Sequence, residues 1–472
     1  MHHKNDIDNP KKNNVSETAT LIIVAIVQFM VPFLSSGVVV ALPTIGAEFN
    51  ASAVQLSTCV TAMVLALSMM MLPVSRFADI HGRKRIFIIG IGILALTSLA
   101  LSMCTNIYYF IVFRFVMGMA AAMIFSTSVA ILTSVFPVER RGRALGISVA
   151  AVYLGMAAGP TLAGFIIAHL GWRSIFYVVL PFQLFSFILT ITRLNGEWTT
   201  DEGKGFDWIG SIALGFSLLL LIVGTTQLNT MAAAKWLALA GAVMMVFFVR
   251  IEFKVTNPLL DLHLLRTNLP FSFYNIANLI NYASAFSVMF LFSLYLQNVK
   301  GYSPHQAGLL MVIQPAIQAL LSPFAGRLCD RYTPRWIATI GMALCTVGLS
   351  VAVFINANSA LALVITVMVF LGVGFGLFST ANTTATMGSV GPRHYGIAAG
   401  LSASMRNTGM LICMAIISYI LAYFMGSQSI NVSNSGLFID SMRTCFTIFS
   451  ALSLLGILFS IGGGRRFLSG PV

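Results

Sequence analysis

Ser75-Arg76-Phe77-Ala78-Asp79-Ile80-His81-Gly82-Arg83-Lys84-Arg85 gathers one carboxylate and four basic side chains between two long apolar runs. A weaker copy, Gly326-Arg327-Leu328-Cys329-Asp330-Arg331-Tyr332-Thr333-Pro334-Arg335, returns in the second half of the chain. Each copy follows the second apolar run of its half. The chain therefore reads as two related units whose corresponding charged loops face the same side of a membrane.

Composition supports that reading. Of 472 residues, 58% are hydrophobic and only 9% charged, which excludes a soluble protein with a large core. A bilayer core of ~30 Å needs about 20 apolar residues per helix, and such runs recur almost end to end. They lack the alternating polarity of barrel strands. The formal net charge of +13 would suggest a nucleic-acid partner in a soluble domain, but no basic run here is interleaved with aromatics on such a domain. With the amino terminus in the cytoplasm and fourteen spans threaded, most Lys and Arg fall on the inner side, and only Arg173, Lys235, Lys300 and Arg443 near the outer one. That asymmetry follows the positive-inside rule. The six cysteines are scattered, with no close-spaced pair, and read as small hydrophobes rather than metal ligands.

The expected organisation is an all-α polytopic membrane protein with spans grouped six, two and six. Residues 1–18 form a cytoplasmic tail, 19–194 a first six-helix bundle, and 195–270 a linker with two inserted spans. Residues 271–464 form a second six-helix bundle and 465–472 a second cytoplasmic tail. Parity constrains the linker: if only one of its apolar runs crossed, the second charged loop would lie on the opposite side from the first.

The first charged loop resembles the signature of the major facilitator superfamily, glycine-x-leucine-x-aspartate-x-x-glycine-arginine-lysine or arginine, between spans 2 and 3. Asp79, Gly82, Arg83 and Lys84 match it, while Ser75 stands where the first glycine is expected. A carboxylate at the inner surface can cap the positive N-terminus of a helix from the other bundle and so hold one access state. By resemblance, Asp79 meets the start of span 13 around 396–399. In the second copy Asp330 and Arg331 keep their offsets, but Pro334 and Arg335 replace the glycine-basic ending. In span 5, Gly155, Gly159, Pro160 and Gly164 resemble the signature that marks exporters with antiport mechanisms in this superfamily. Physically, small residues at i and i+4 allow close helix approach, and proline permits bending.

Several polar residues fall inside apolar spans. Arg114 lies about 10 Å below the outer surface at ~1.5 Å per residue, where a charge is costly unless it faces a polar interior. It also matches the arginine of the family's span 4 signature, with Gly118 following. Arg406, beside Asn407, is a second candidate buried arginine, although its shallower position on the cytoplasmic side permits snorkelling. Gln28, Gln314, Asn382 and the slanted series Asn275, Asn278 and Asn281 complete the candidate substrate cavity, against the alternative that they only join helices. No Asp or Glu falls in the middle of a predicted span. Members of the fourteen-span drug:proton antiporter family, which the whole chain resembles, often carry an acid in span 1 before Ala-Leu-Pro. Here Ala41-Leu42-Pro43 is present, but Leu34 and Val39 occupy the approximate positions of the acid and its neighbouring amide. A buried carboxylate is the usual means of pairing a cationic drug and exchanging a proton.

The resemblance implies a monomeric efflux transporter of the cell membrane with both termini cytoplasmic. It would move hydrophobic, neutral or anionic small molecules by alternating access, without a bound cofactor or metal and with a proton gradient as energy source. Its partners would be the small hydrophobic substrate and membrane lipid, with no nucleic acid. Uptake or exchange of a small organic anion or neutral metabolite is the rival within transport, and a non-transporting membrane sensor the rival outside it. A membrane enzyme lacks support, since the sequence shows no nucleophile with its base and no phosphate loop.

Overall fold

A computed structural model describes residues 16–194, 196–199, 205–226, 233–255, 259, 262–391, 395–426, 428–430 and 434–463. Residues 1–15 of the expected first tail, the whole of the second, most of the charged part of the linker and Arg393 lie outside these residues. Among the described residues, fourteen helices are long and apolar enough to cross a bilayer. They are α1 Glu17–Phe49, α2 Ala53–His81, α3 Arg83–Ser102, α4 Ile107–Val135, α5 Arg143–Leu170, α6 Ser174–Arg193, α7 Trp208–Thr226 and α8 Ala234–Glu252. The second half supplies α9 Leu269–Val299, α10 Pro304–Arg331, α11 Pro334–Ala352, α12 Leu361–Gly388, α13 Ala398–Met425 and α14 Ser435–Gly462. No strand occurs among the described residues.

Helix packing repeats with an offset of eight. α3 packs on α4 and α6 as α11 packs on α12 and α14, α2 on α4 as α10 on α12, and α1 on α5 as α9 on α13. The crossings between the two bundles obey the same symmetry, α2 against α13 and α10 against α5. The inserted hairpin of α7 and α8 packs on itself and touches both α2 and α13, so it lies over one seam between the bundles. Gly224 against Ala238 and Gly241 against Leu221 bring its two helices close.

Helix ends follow local chemistry. Ser52 caps α2 in a reciprocal capping box with Gln55, and Ser303 does the same for α10 with Gln306. Asn50, in the left-handed region at φ 49°, ends α1 and turns the chain into α2. Pro160 removes a helical N–H, and residues Gly159–Ala163 widen into a single π turn within α5.

Fourteen crossings place both described chain ends on one face, here called the near face, and the α1–α2 turn on the far face. His81 and Thr333, in the two charged loops, share the near face. In the far half the bundles are in direct contact. Ser57 and Ser418 share a hydrogen bond of 2.8 Å, Ser293 donates to the Val39 carbonyl at 2.7 Å, and Gln297 to the Val40 carbonyl at 3.0 Å. Backbone meets backbone where Gly164 of α5 faces Pro304 and Gly308 of α10 faces Pro160. Towards the near face, cross-bundle hydrogen bonds among the described residues include Tyr153–Ser379 at 3.5 Å and Asn407 to the Met71 sulfur at 2.9 Å. The far half is thus sealed by close contact of the two bundles.

Candidate functional site: the cavity between the bundles

A cavity sits where the π turn of α5 faces the second bundle. Met156 and Pro160 form its first-bundle wall, and Tyr282, Phe286 and Met289 of α9 stand opposite. Gln314 and Gln318 of α10, Met368 and Phe375 of α12, and Met410 of α13 close the sides. Long thioethers and aromatic edges give a soft apolar surface that adapts to differently shaped ligands.

Polar chemistry enters at one end. The Arg406 guanidinium lies 5.8 Å from the centroid of the Tyr282 ring, and Tyr282 meets Phe375 edge-on at 4.9 Å. Tyr153, Ser379 and Arg406 surround Tyr282. Arg406 comes eleven residues after Tyr395, about 16 Å along the helix at ~1.5 Å per residue. It is half-buried and forms no ion pair among the described residues.

Arg114 has a different setting. It is completely buried, donates from Nε to the Cys59 carbonyl at 3.4 Å and from Nη1 to the Met117 sulfur at 3.6 Å, and its Nη2 has no partner. It does not border the cavity. Close packing explains the seal: a Cβ on Gly118, one turn further along α4, would overlap the Met63 carbonyl of α2.

The other sequence candidates divide into two groups. Gln314 lines the cavity, as does Gln318, whose Nε2 is buried without a partner. The asparagines of α9 are engaged with other helices. Asn275 accepts from Ser402 Oγ at 3.1 Å, Asn278 donates to the Ser402 carbonyl at 3.0 Å, and Asn281 donates to the Met342 sulfur at 3.2 Å. Asn382 donates to the Tyr274 carbonyl at 3.2 Å. Gln28 is buried in α1, away from the cavity, with its Oε1 unpartnered.

At the near face, Arg83 binds Asp79 with Nε and Nη2, both at 2.7 Å, and reaches Ser134 with Nη1 at 3.1 Å. The residues just before α13, 392–394, lie outside the described set. Glu197, beyond α6, accepts from the backbone N–H of Lys84 at 2.8 Å and pairs with Arg85 at 3.6 Å. The Arg83 N–H donates to the Trp198 carbonyl at 3.1 Å. Glu197 thus supplies the anion that the positive start of α3 attracts. It also explains Gly82, whose φ is 112° and whose Cβ would lie 2.5 Å from Glu197 Cδ. Asp330 and Arg331 are exposed and make no ion pair among the described residues.

Gly155 and Gly159 face Phe29 and Ser36 of α1, while Gly164 faces α10 across the bundle boundary. The first two therefore allow packing within a bundle, and the third allows the far-half contact between bundles. Sequence reading missed Tyr153, Tyr282, Ser379, Gly308 and Glu197. Two tyrosines near span centres, away from the interfacial belts where they usually collect, were the available signal.

A second cavity, of about 780 Å³, opens between α7, α13 and α14. Its walls are Leu, Ile and Tyr side chains at lipid depth, and it offers no convergent charge.

Comparison with known proteins agrees with this architecture. The sequence model of the Major Facilitator Superfamily matches residues 24–263 and 274–466. The chain belongs to that superfamily. It is 27% identical over 441 residues to the riboflavin transporter RibZ of Clostridioides difficile, covering 93% of this chain and 96% of RibZ. It is 30% identical over 425 residues to the multidrug resistance protein Stp of Mycobacterium tuberculosis, covering 88% and 78%. The tetracenomycin C resistance and export protein of Streptomyces glaucescens is 26% identical over 417 residues, with 86% and 76% covered. Among solved structures, an inward-facing, unoccupied bacterial homologue of the human lysosomal transporter Spinster superposes with a TM-score of 0.69 at 14% identity, covering 97% of this chain and 99% of that one. The chain is accordingly a polytopic membrane transporter of this superfamily and not an enzyme.

Proposed function

We propose that this transporter exports hydrophobic small molecules from the cytoplasm by alternating access, acting as a monomer in the cell membrane with its near face cytoplasmic. The observation that carries the reading is the cavity at the bundle boundary, walled by Met156, Met289, Met368 and Met410 and shut on the far side by glycine-mediated backbone contact. A cavity of this kind loads from the near face and unloads when the contacts of Gly164 and Gly308 part. Relatives named for multidrug resistance and for tetracenomycin C export support the outward direction. The positive-inside bias supports the orientation.

A proton gradient is the energy source that the family resemblance suggests. The described residues place carboxylates only towards the ends of spans, as with Glu17, Glu48, Asp79, Asp207, Glu252, Asp330 and Asp440. Solute-driven pH change in proteoliposomes tests the coupling, and flux in inverted vesicles tests direction. Export predicts ATP-independent accumulation inside inverted vesicles energised by respiration. Accumulation only in right-side-out vesicles would favour the second reading, uptake or exchange of an organic anion, which Arg406, without an ion pair among the described residues, and the riboflavin transporter among the relatives support.

A further inference from the structure

The geometry points to Tyr282 of the cavity wall, with Arg406, Ser379 and Tyr153 beside it, as a polar anchor, and to a planar aromatic compound carrying an ionised oxygen, a carboxylate or phenolate, as its ligand. The inference rests on the transport reading and names the substrate class of the same cavity.

Charge is the first support. Arg406 lies well within the span, half-buried, and its described neighbours are an aromatic ring and hydroxyl groups rather than a carboxylate. A guanidinium at membrane depth is costly, and intramembrane charges normally pair with one another or line a substrate path. Arg114 has other surroundings: it is fully buried and donates to the Cys59 carbonyl and the Met117 sulfur. No acidic side chain is among the described lining residues, so a cationic ligand would meet only aromatic rings and amide oxygens there.

Hydrogen bonding is the second. A guanidinium presents donors in a planar fork suited to a carboxylate, and hydroxyls beside it can donate to the same oxygen atoms. Tyr282 and Ser379 come from the second bundle and Tyr153 from the first, with the Tyr153 and Ser379 hydroxyls 3.5 Å apart. That pair is loose enough to exchange for a ligand oxygen. An anion held there touches both bundles, so its binding draws them together on the near side.

Shape is the third. Tyr282 and Phe375 meet edge to face at 4.9 Å, and Met156, Met289 and Met410 stand around them. Aromatic edges and polarizable sulfurs favour a flat ring over an aliphatic chain.

The test uses the full-length protein with three matched probes: naphthalene-2-carboxylate, naphthalene-2-carboxamide and 2-naphthylmethylammonium. Equilibrium binding is measured on purified protein and flux in proteoliposomes. Wild type is expected to bind the carboxylate about 10-fold or more tightly than the amide, as a charge-assisted hydrogen bond implies, and the ammonium least. Arg406→Gln should weaken the carboxylate more than the amide and reduce the carboxylate advantage to below about 3-fold, and Arg406→Lys should retain part of it. Tyr153→Phe should weaken carboxylate binding by about 3- to 10-fold, the loss of one hydrogen bond. A monodisperse elution profile and an unchanged melting midpoint exclude misfolding, and Arg406→Lys supplies the comparison if the glutamine variant fails to fold. Equal binding of carboxylate and amide by wild type, discrimination that survives in Arg406→Gln, or no binding of any probe would overturn the anchor. Carboxylate binding without flux would uphold the anchor and sink the transport reading. Flux of all three probes without discrimination would do the reverse.

Discussion

Gly164→Ala isolates the contact that shuts the far side. A Cβ at this position would lie 2.6 Å from the Pro304 carbonyl oxygen, 3.2 Å from its carbonyl carbon and 3.3 Å from His305 Cα. All three atoms belong to α10, so the collision is between bundles and leaves packing within the first bundle untouched. Carbon and carbonyl oxygen normally approach to about 3.3 Å at closest, so relief requires a separation of roughly 0.7 Å. Both neighbours are backbone in a capped helix start and cannot rotate away. Overpacking of this kind costs about 1–3 kcal/mol, and here that cost falls on the far-closed state alone. The ratio of closed to open protein should therefore drop about 5- to 150-fold. Gly308→Ala, whose Cβ would fall still closer to the Pro160 carbonyl, should drop it further. Ser57 and Ser418 provide the readout, because their oxygens are 2.8 Å apart across the same boundary. With the native cysteines replaced, Ser57→Cys with Ser418→Cys should cross-link rapidly on brief oxidation. Adding Gly164→Ala should slow the reaction, with lower turnover and an unchanged melting midpoint. Cross-linking and transport at the rates of the parent protein would refute the reasoning.

Three further substitutions probe the remaining contacts. Gly82→Ala should lower stability by about 1–3 kcal/mol through its positive φ and the collision with Glu197, and Glu197→Ala by about 0.5–2 kcal/mol through loss of the α3 cap. Combined, they should lose less than the sum in thermal unfolding, since both act on one contact; strict additivity would separate them. Asn278→Ala should cost about 0.6 kcal/mol and leave substrate affinity unchanged, because its amide joins α9 to α13. A large rise in KM at normal stability would instead place it in the substrate path. Arg114→Met should keep or raise the melting midpoint, since it removes a buried guanidinium with an unpartnered Nη2. A clear fall would mean that the contacts to the Cys59 carbonyl and the Met117 sulfur outweigh its desolvation.

The spans were legible because the bilayer imposes one length and one composition on each crossing. Ends were less so: the expected boundary after residue 18 falls inside α1, which runs Glu17–Phe49, because Ser16 caps one end and Asn50 turns the other. The last span begins at Ser435, ahead of the charged Asp440 and Arg443, since a polar turn can remain helical at the interface. Arg406 was visible as a charge in an apolar run. Its companions were not, because Tyr153, Tyr282 and Ser379 lie on three different spans and only the cross-bundle packing brings them together. The asparagines show the converse limit. Periodicity placed Asn275, Asn278 and Asn281 on a slanted stripe, but whether that stripe faces a cavity or Ser402 of α13 depends on a neighbour that periodicity cannot identify.

The anchor at Arg406 also sets how the membrane potential must act. If the exported ligand is a monovalent anion exchanged for one proton, negative charge leaves as positive charge enters, and two charges per cycle run down an inside-negative potential. Each is worth about 2.3 kcal/mol per 100 mV, or roughly 1.7 decades of concentration ratio. Imposing ~100 mV in proteoliposomes without a pH gradient should then raise the steady-state ratio of naphthalene-2-carboxylate by over three decades. The corresponding neutral amide, exchanged for one proton, should gain half as many decades. A carboxylate response of only about 1.7 decades would mean that the anion moves alone and that no proton needs a carrier in the spans. A ratio indifferent to potential would require a compensating cation to leave with the anion or a second anion to enter in exchange. It would also remove the electrical reason for a guanidinium beside Tyr282.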